Sequence, residues 1–112
     1  MNKSKPGRHA PAFILLILSL GPNHGLGILS KMDEIAPGHR LDTAVIYRVL
    51  KKLEDNNYIK SEWLDSEMGP RKKVYHITEL GISELGKYRN DIEKVILRLQ
   101  AFLDIYDSKY RL

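Results

Sequence analysis

Residues 42–78 read DTAVIYRVLKKLEDNNYIKSEWLDSEMGPRKKVYHIT. Ile46, Val49, Leu50 and Leu53 recur at i, i+3, i+4 and i+7, the spacing that lines up one buried face of a helix. Asp42 is suited to cap that helix, which the spacing predicts to run to about Asp55. The opposite face carries Ala44, Arg48, Lys51 and Asp55, flanked by Tyr47 and Lys52. After the Asn56-Asn57 turn the period drops to two: Ile59, Ser61 and Trp63 alternate with Lys60 and Glu62. A loop over 65–71 holds Met68, Gly69 and Pro70, and a second strand is predicted over 72–77, with Tyr75 and Ile77 facing inward. A hairpin of two strands is marginal alone and has to pack on helices.

Reading outward toward the start, 12–20 is apolar nearly all round and reads as a covered helix. Gly21 suits its C-terminal cap, Pro22 stops it, and Asn23 can cap a second helix over 24–34, amphipathic through Leu26, Leu29 and Met32 or Ile35. Pro37, Gly38 and His39 break that helix. In the other direction Thr78 can cap a long helix, with Glu79 placed well against its dipole, running to about Asp107. Leu85, Tyr88, Ile92, Val95, Leu99, Phe102 and Tyr106 are spaced 3, 4, 3, 4, 3, 4, which makes three heptads of a and d positions. A helix of about 30 residues is some 45 Å long, more than three short helices and a hairpin can cover. Its far half calls for a second copy of the chain, with Ile96 and Leu103 beside the stripe.

The 112 residues suit one domain with a modest core. A hydrophobic share of 43% argues against wholesale disorder. With no cysteine there is no disulfide framework or thiolate metal site, and His9, His24, His39 and His76 are scattered at no metal-binding spacing. No phosphate loop, nucleotide fingerprint or nucleophile elbow is present. The expectation is therefore no enzyme and no cofactor. The run 10–20 follows Lys3, Lys5 and Arg8 but is too short for the roughly 20 residues that span a bilayer. This points to a cytoplasmic protein without membrane contact. The net charge is +4, and its surplus lies in the first half: nine Lys and Arg against five Asp and Glu up to Lys60, while 79–112 is balanced. That bias favours a polyanionic partner.

Helix, helix, helix, strand, strand, long helix is the order of a winged helix-turn-helix: mainly α, with a small β hairpin. The division expected is a flexible basic tail over 1–9, a DNA-binding unit over 10–78 and a dimerisation helix over 79–112. The third helix would enter the major groove of double-stranded DNA and the hairpin, or wing, would touch the backbone beside it. Arg48 is the natural base reader because its fork matches guanine. Thr43 and Ala44 would also contact the DNA, Tyr47 would hydrogen-bond a phosphate or pack at the helix edge, and Lys51 and Lys52 would hold phosphates. On the wing, Arg71, Lys72 and Lys73 would do the same. An interaction or ligand-sensing module that keeps this fold without binding an operator is the alternative from a different class.

The chain also resembles the PadR-like transcriptional regulators, in the short form with a single C-terminal helix. The resemblance is carried by LSLGPNHG at 18–25, AVIYRVLKKLEDNNYI at 44–59, and SEW at 61–63 followed by GPRKKVYHIT at 69–78. It implies a homodimeric repressor on a pseudo-palindromic operator, and in some members release of DNA when a flat aromatic effector binds. The chain departs from the pattern at Val45, where a hydroxyl is frequent, and at Leu26, where an aromatic is common. Its single tryptophan, Trp63, lies in the wing and not on the last helix.

Overall fold

The computed structural model describes residues 8–36 and 41–111. In chain order it forms α1 (Ala10–Ser19), β1 (Asn23–His24), α2 (Gly25–Ile35), α3 (Thr43–Asp55), β2 (Ile59–Leu64), β3 (Lys72–Ile77) and α4 (Glu79–Tyr110). The expected break at Pro37, Gly38 and His39 and the tail over 1–7 lie outside the described residues. Arg8 and His9 are a turn joined to α1: the His9 carbonyl accepts the Phe13 N–H at 3.1 Å.

α1 is the hub. Ile14, Leu15, Ile17 and Leu18 are buried on several sides of it, because α2, α3, α4 and β3 all pack against it. That is why its sequence shows almost no polar face. α3 contributes Ile46, Leu50 and Leu53, and β2 and β3 close the core with Ile59 and Tyr75. The helix starts where the Asp42 carboxylate accepts the Val45 N–H at 2.8 Å, a cap worth about 1 kcal/mol. Gly21 ends the α1 turn with φ 153°, a conformation costly for any residue with a Cβ.

Two features of the α2 region differ from the sequence expectation. Asn23 does not cap α2; it begins β1, which pairs antiparallel with β3 through Asn23–Tyr75 and His24–Val74, so the sheet has three strands in the order β1-β3-β2. The Asn23 carboxamide oxygen instead accepts the neighbouring His24 N–H at 2.9 Å. The buried side of α2 is Gly25, Ile28 and Met32, while Leu26 is 57% exposed. Apolar residues at 26, 28, 29, 32 and 35 allow two overlapping stripes. The close approach of Tyr47 to Gly25 selects between them: a Cβ on Gly25 would lie 2.5 Å from the Tyr47 hydroxyl.

At the base of the wing, Thr78 joins three elements. Its hydroxyl donates to the Asn57 carbonyl at 2.7 Å and accepts the Gly81 N–H at 3.0 Å, while its own N–H reaches the Tyr58 carbonyl at 3.0 Å. α4 is thereby launched from a fixed point. It runs for 32 residues, about 48 Å, and the molecule measures 61 × 27 × 27 Å. The radius of gyration is 17.2 Å, against about 13 Å for a compact chain of this length. The difference is the half of α4 that projects beyond the core.

Candidate nucleic-acid interface

The exposed arc of α3 is set by its buried one. With Ile46, Leu50 and Leu53 inside, Thr43, Ala44, Tyr47, Arg48, Lys51, Lys52 and Asp55 are all exposed. On this arc Tyr47 stands at the edge next to the wing, Lys51 is central, and Arg48 and Lys52 stand toward the far edge.

On the wing side, Tyr47 faces Arg71, Lys72 and Lys73 across a groove of about 430 Å³, floored by Tyr75 and flanked by His24 and Trp63. The structure thus places the α3 tyrosine and the three wing cations along one depression. The cations are not equivalent. The Arg71 Nε lies 3.2 Å from the Asp65 carboxylate and its guanidinium sits 6.0 Å from the centre of the Trp63 ring. The Lys73 ammonium is 3.7 Å from Glu54 of α3 and 5.5 Å from the Tyr75 ring centre. Lys72 forms no ion pair with any described residue. The Arg71–Asp65 pair is exposed and worth only about 0–1 kcal/mol, so an incoming phosphate can replace that carboxylate at little cost, whereas the Lys73–Glu54 pair is half-buried. Glu54 also accepts the Ser61 hydroxyl at 2.5 Å, which ties α3 to β2 and fixes the wing against the helix. Burial first, then the nearby Glu54 carboxylate, pushes the Tyr75 phenol above its ordinary value.

On the far side, Arg48 and Lys52 line a different groove, together with Arg8. Lys51, between the two, pairs with Asp55 at 3.3 Å. The nine candidate DNA contacts therefore form one band across α3 and the wing, with three of its cations internally paired at Lys51, Arg71 and Lys73.

The apolar stripe of α4 divides in two. Leu85 and Tyr88 pack partly buried against their own chain's core. Ile92 and Val95 are half-buried, and from Ile96 onward the stripe is open, with Leu99 56% and Phe102 66% exposed. Leu103 and Tyr106 are exposed as well, and Phe102, Tyr106 and Tyr110 form a ladder with ring centres 6.5 and 5.2 Å apart. Between α1 and α4 lies a cavity of about 480 Å³ walled by Phe13, Leu16, Leu85 and Tyr88.

A family model described as the transcriptional regulator PadR-like family matches residues 14–87, from α1 into α4. The chain belongs to the PadR-like family. Its structural neighbours agree. A PadR family transcription regulator from a hypervirulent Clostridium difficile is 25% identical, with a TM-score of 0.75 over 85% of this chain and 98% of that one. A conserved protein of unknown function, described as a potential transcriptional factor, is 25% identical and superimposes with a TM-score of 0.81 over 100% of this chain and 99% of the other. The fold of a PadR-like regulator from Bacillus cereus, 23% identical, matches with a TM-score of 0.74 over 85% and 91%. No curated protein matches the chain.

For this PadR-like protein the winged-helix architecture and the link to transcription regulation follow from the family. Among the described residues no group of His, Asp and Glu could hold a metal ion, and no helix is long and apolar enough to cross a membrane. Two site features go beyond the sequence expectation. Arg8, within the tail expected over 1–9, lines the same groove as Arg48 and Lys52. Trp63, expected only as a strand residue, has the Arg71 guanidinium over its ring. The basic run Lys3, Lys5, Arg8 was a visible signal for the first; the second depends on cross-strand register, which pairs Trp63 with Lys73.

Proposed function

We infer that this PadR-like protein is a homodimeric, sequence-specific regulator of transcription that binds double-stranded DNA in the cytoplasm and represses by occupying a pseudo-palindromic operator. The observation that carries this reading is the single cationic band formed by the outer arc of α3 and the wing, with Tyr47 facing Arg71, Lys72 and Lys73 across one groove. α3 enters the major groove, where Arg48 reads base edges and Thr43, Ala44 and Tyr47 lie close to the bases and the backbone. Lys51, Lys52 and the wing cations hold phosphates and set the register. The open half of α4 supplies the dimer contact, which presents two such bands to one duplex. A small aromatic effector would occupy the apolar cavity between α1 and α4, whose size is in the range of small-molecule sites.

Selection of bound duplexes from a random pool tests the DNA part. The expected product is a two-fold related sequence whose half-sites are about 10 base pairs apart, one helical turn. Recovery of no preferred sequence, with retained dimerisation, would instead favour an interaction module that does not read an operator.

A further inference from the structure

Arg8, Arg48 and Lys52 bound a groove of about 460 Å³ on the side of α3 away from the wing. The three cations come from two elements: Arg8 from the turn leading into α1, Arg48 and Lys52 from successive turns of α3. Among the described residues no acidic side chain lines this groove and none forms an ion pair with any of the three cations. Toward the wing, by contrast, three of the four cations, Lys51, Arg71 and Lys73, have a carboxylate partner, and Lys72 alone has none among the described residues. Like charges at i, i+4, as Arg48 and Lys52 are, destabilise a helix unless an anion lies between them. Asn56 and Tyr58 add neutral hydrogen-bonding groups to the groove wall.

We propose that this groove is a second phosphate-backbone site, which grips the DNA strand opposite the one held by the wing. The reasoning rests on α3 being the helix that enters the major groove. A helix is about 10–12 Å across with its side chains, and the major groove is about 12 Å wide. A helix seated there therefore has a phosphate wall on each flank. The wing serves one wall; Arg8, with Lys52, is placed to serve the other, and Arg48 stands between that wall and the base edges. Arg8 thereby becomes a DNA contact contributed by the segment before α1.

The test compares Arg8→Ala, Arg8→Lys and Lys52→Ala with Lys72→Ala as the wing control, each titrated with the selected operator and with an unrelated duplex over a series of salt concentrations. All three positions are exposed, and unchanged thermal melting confirms folding. Arg8→Ala and Lys52→Ala are expected to weaken binding to both duplexes by similar factors and to lower the slope of log affinity against log salt by about one each, as one lost phosphate contact requires. Arg8→Lys should keep the wild-type slope, because it keeps the charge. Wild-type affinity and slope in Arg8→Ala and Lys52→Ala, with a loss in Lys72→Ala, would overturn the second site and leave the DNA reading standing. Wild-type behaviour in all of them, Lys72→Ala included, would remove the DNA reading and the second site with it.

Discussion

Leu99→Asp combined with Phe102→Asp is expected to yield a folded chain that sediments as a single copy and binds its operator at least a hundredfold more weakly. Both side chains are more than half exposed in the isolated chain, so nothing in its own core is lost. Together they lie on the stripe that continues from Val95 to Tyr106. A soluble protein rarely leaves so long an apolar face uncovered. Burying one such side chain against a partner contributes about 1.5–3 kcal/mol, and a two-fold interface uses each residue twice. Placing carboxylates there removes that gain and adds like-charge repulsion. The effect on DNA follows from linkage, because joining two half-site binders raises avidity by about 10²–10⁴. Sedimentation equilibrium is the check, and a variant that remains dimeric would show that α4 is not the contact.

Gly81→Ala is the second large effect. A Cβ at Gly81 would collide with the backbone carbonyl oxygen of Tyr58 and lie 2.7 Å from Ile77 Cγ1. That carbonyl accepts the Thr78 N–H, and Thr78 in turn caps the helix at Gly81, so the collision falls on the joint between wing and α4. Overpacking costs about 1–3 kcal/mol and loss of the cap about 1 more. From a total stability of roughly 5–15 kcal/mol, this should lower the melting temperature by on the order of 10 °C. Gly86→Ala, in the same helix with nothing within 4 Å of the added carbon, is the control. It should raise stability by about 0.5–1 kcal/mol, since alanine holds helical backbone better than glycine. A Gly81→Ala variant melting at or above the wild-type temperature would mean that the joint is far more pliable than its geometry implies.

The elements most legible in the sequence are those with a single strong period and a clear cap. α3 begins after Asp42 and ends at Asp55 as its stripe predicts, and Thr78 caps α4 as expected. β1 was invisible because two residues carry no period; what makes Asn23 and His24 a strand is the edge of β3 beside them. The face of α2 differs from expectation at Leu26 because its sequence supports two stripes and only the contact at Gly25 decides. The positions of the candidate DNA contacts on α3 followed from helical geometry. Their ion pairs did not, since Arg71–Asp65 and Lys73–Glu54 join residues that only the folded wing brings together. On α4 the heptads show one continuous stripe, whereas the fold packs its beginning, Leu85 and Tyr88, within its own chain, leaves Ile92 and Val95 half-buried and turns the rest outward. Periodicity records that a face is covered and not which chain covers it.

The most direct measurement is the backbone amide spectrum of the isotopically labelled protein as a duplex containing the selected operator is added. The account predicts that the largest shifts cluster at 43–52 and 71–73, with a further set at Arg8, and that one set of signals reports two equivalent copies per duplex. Shifts confined to α2 and the outer face of α4, with α3 and the wing unmoved, would contradict it.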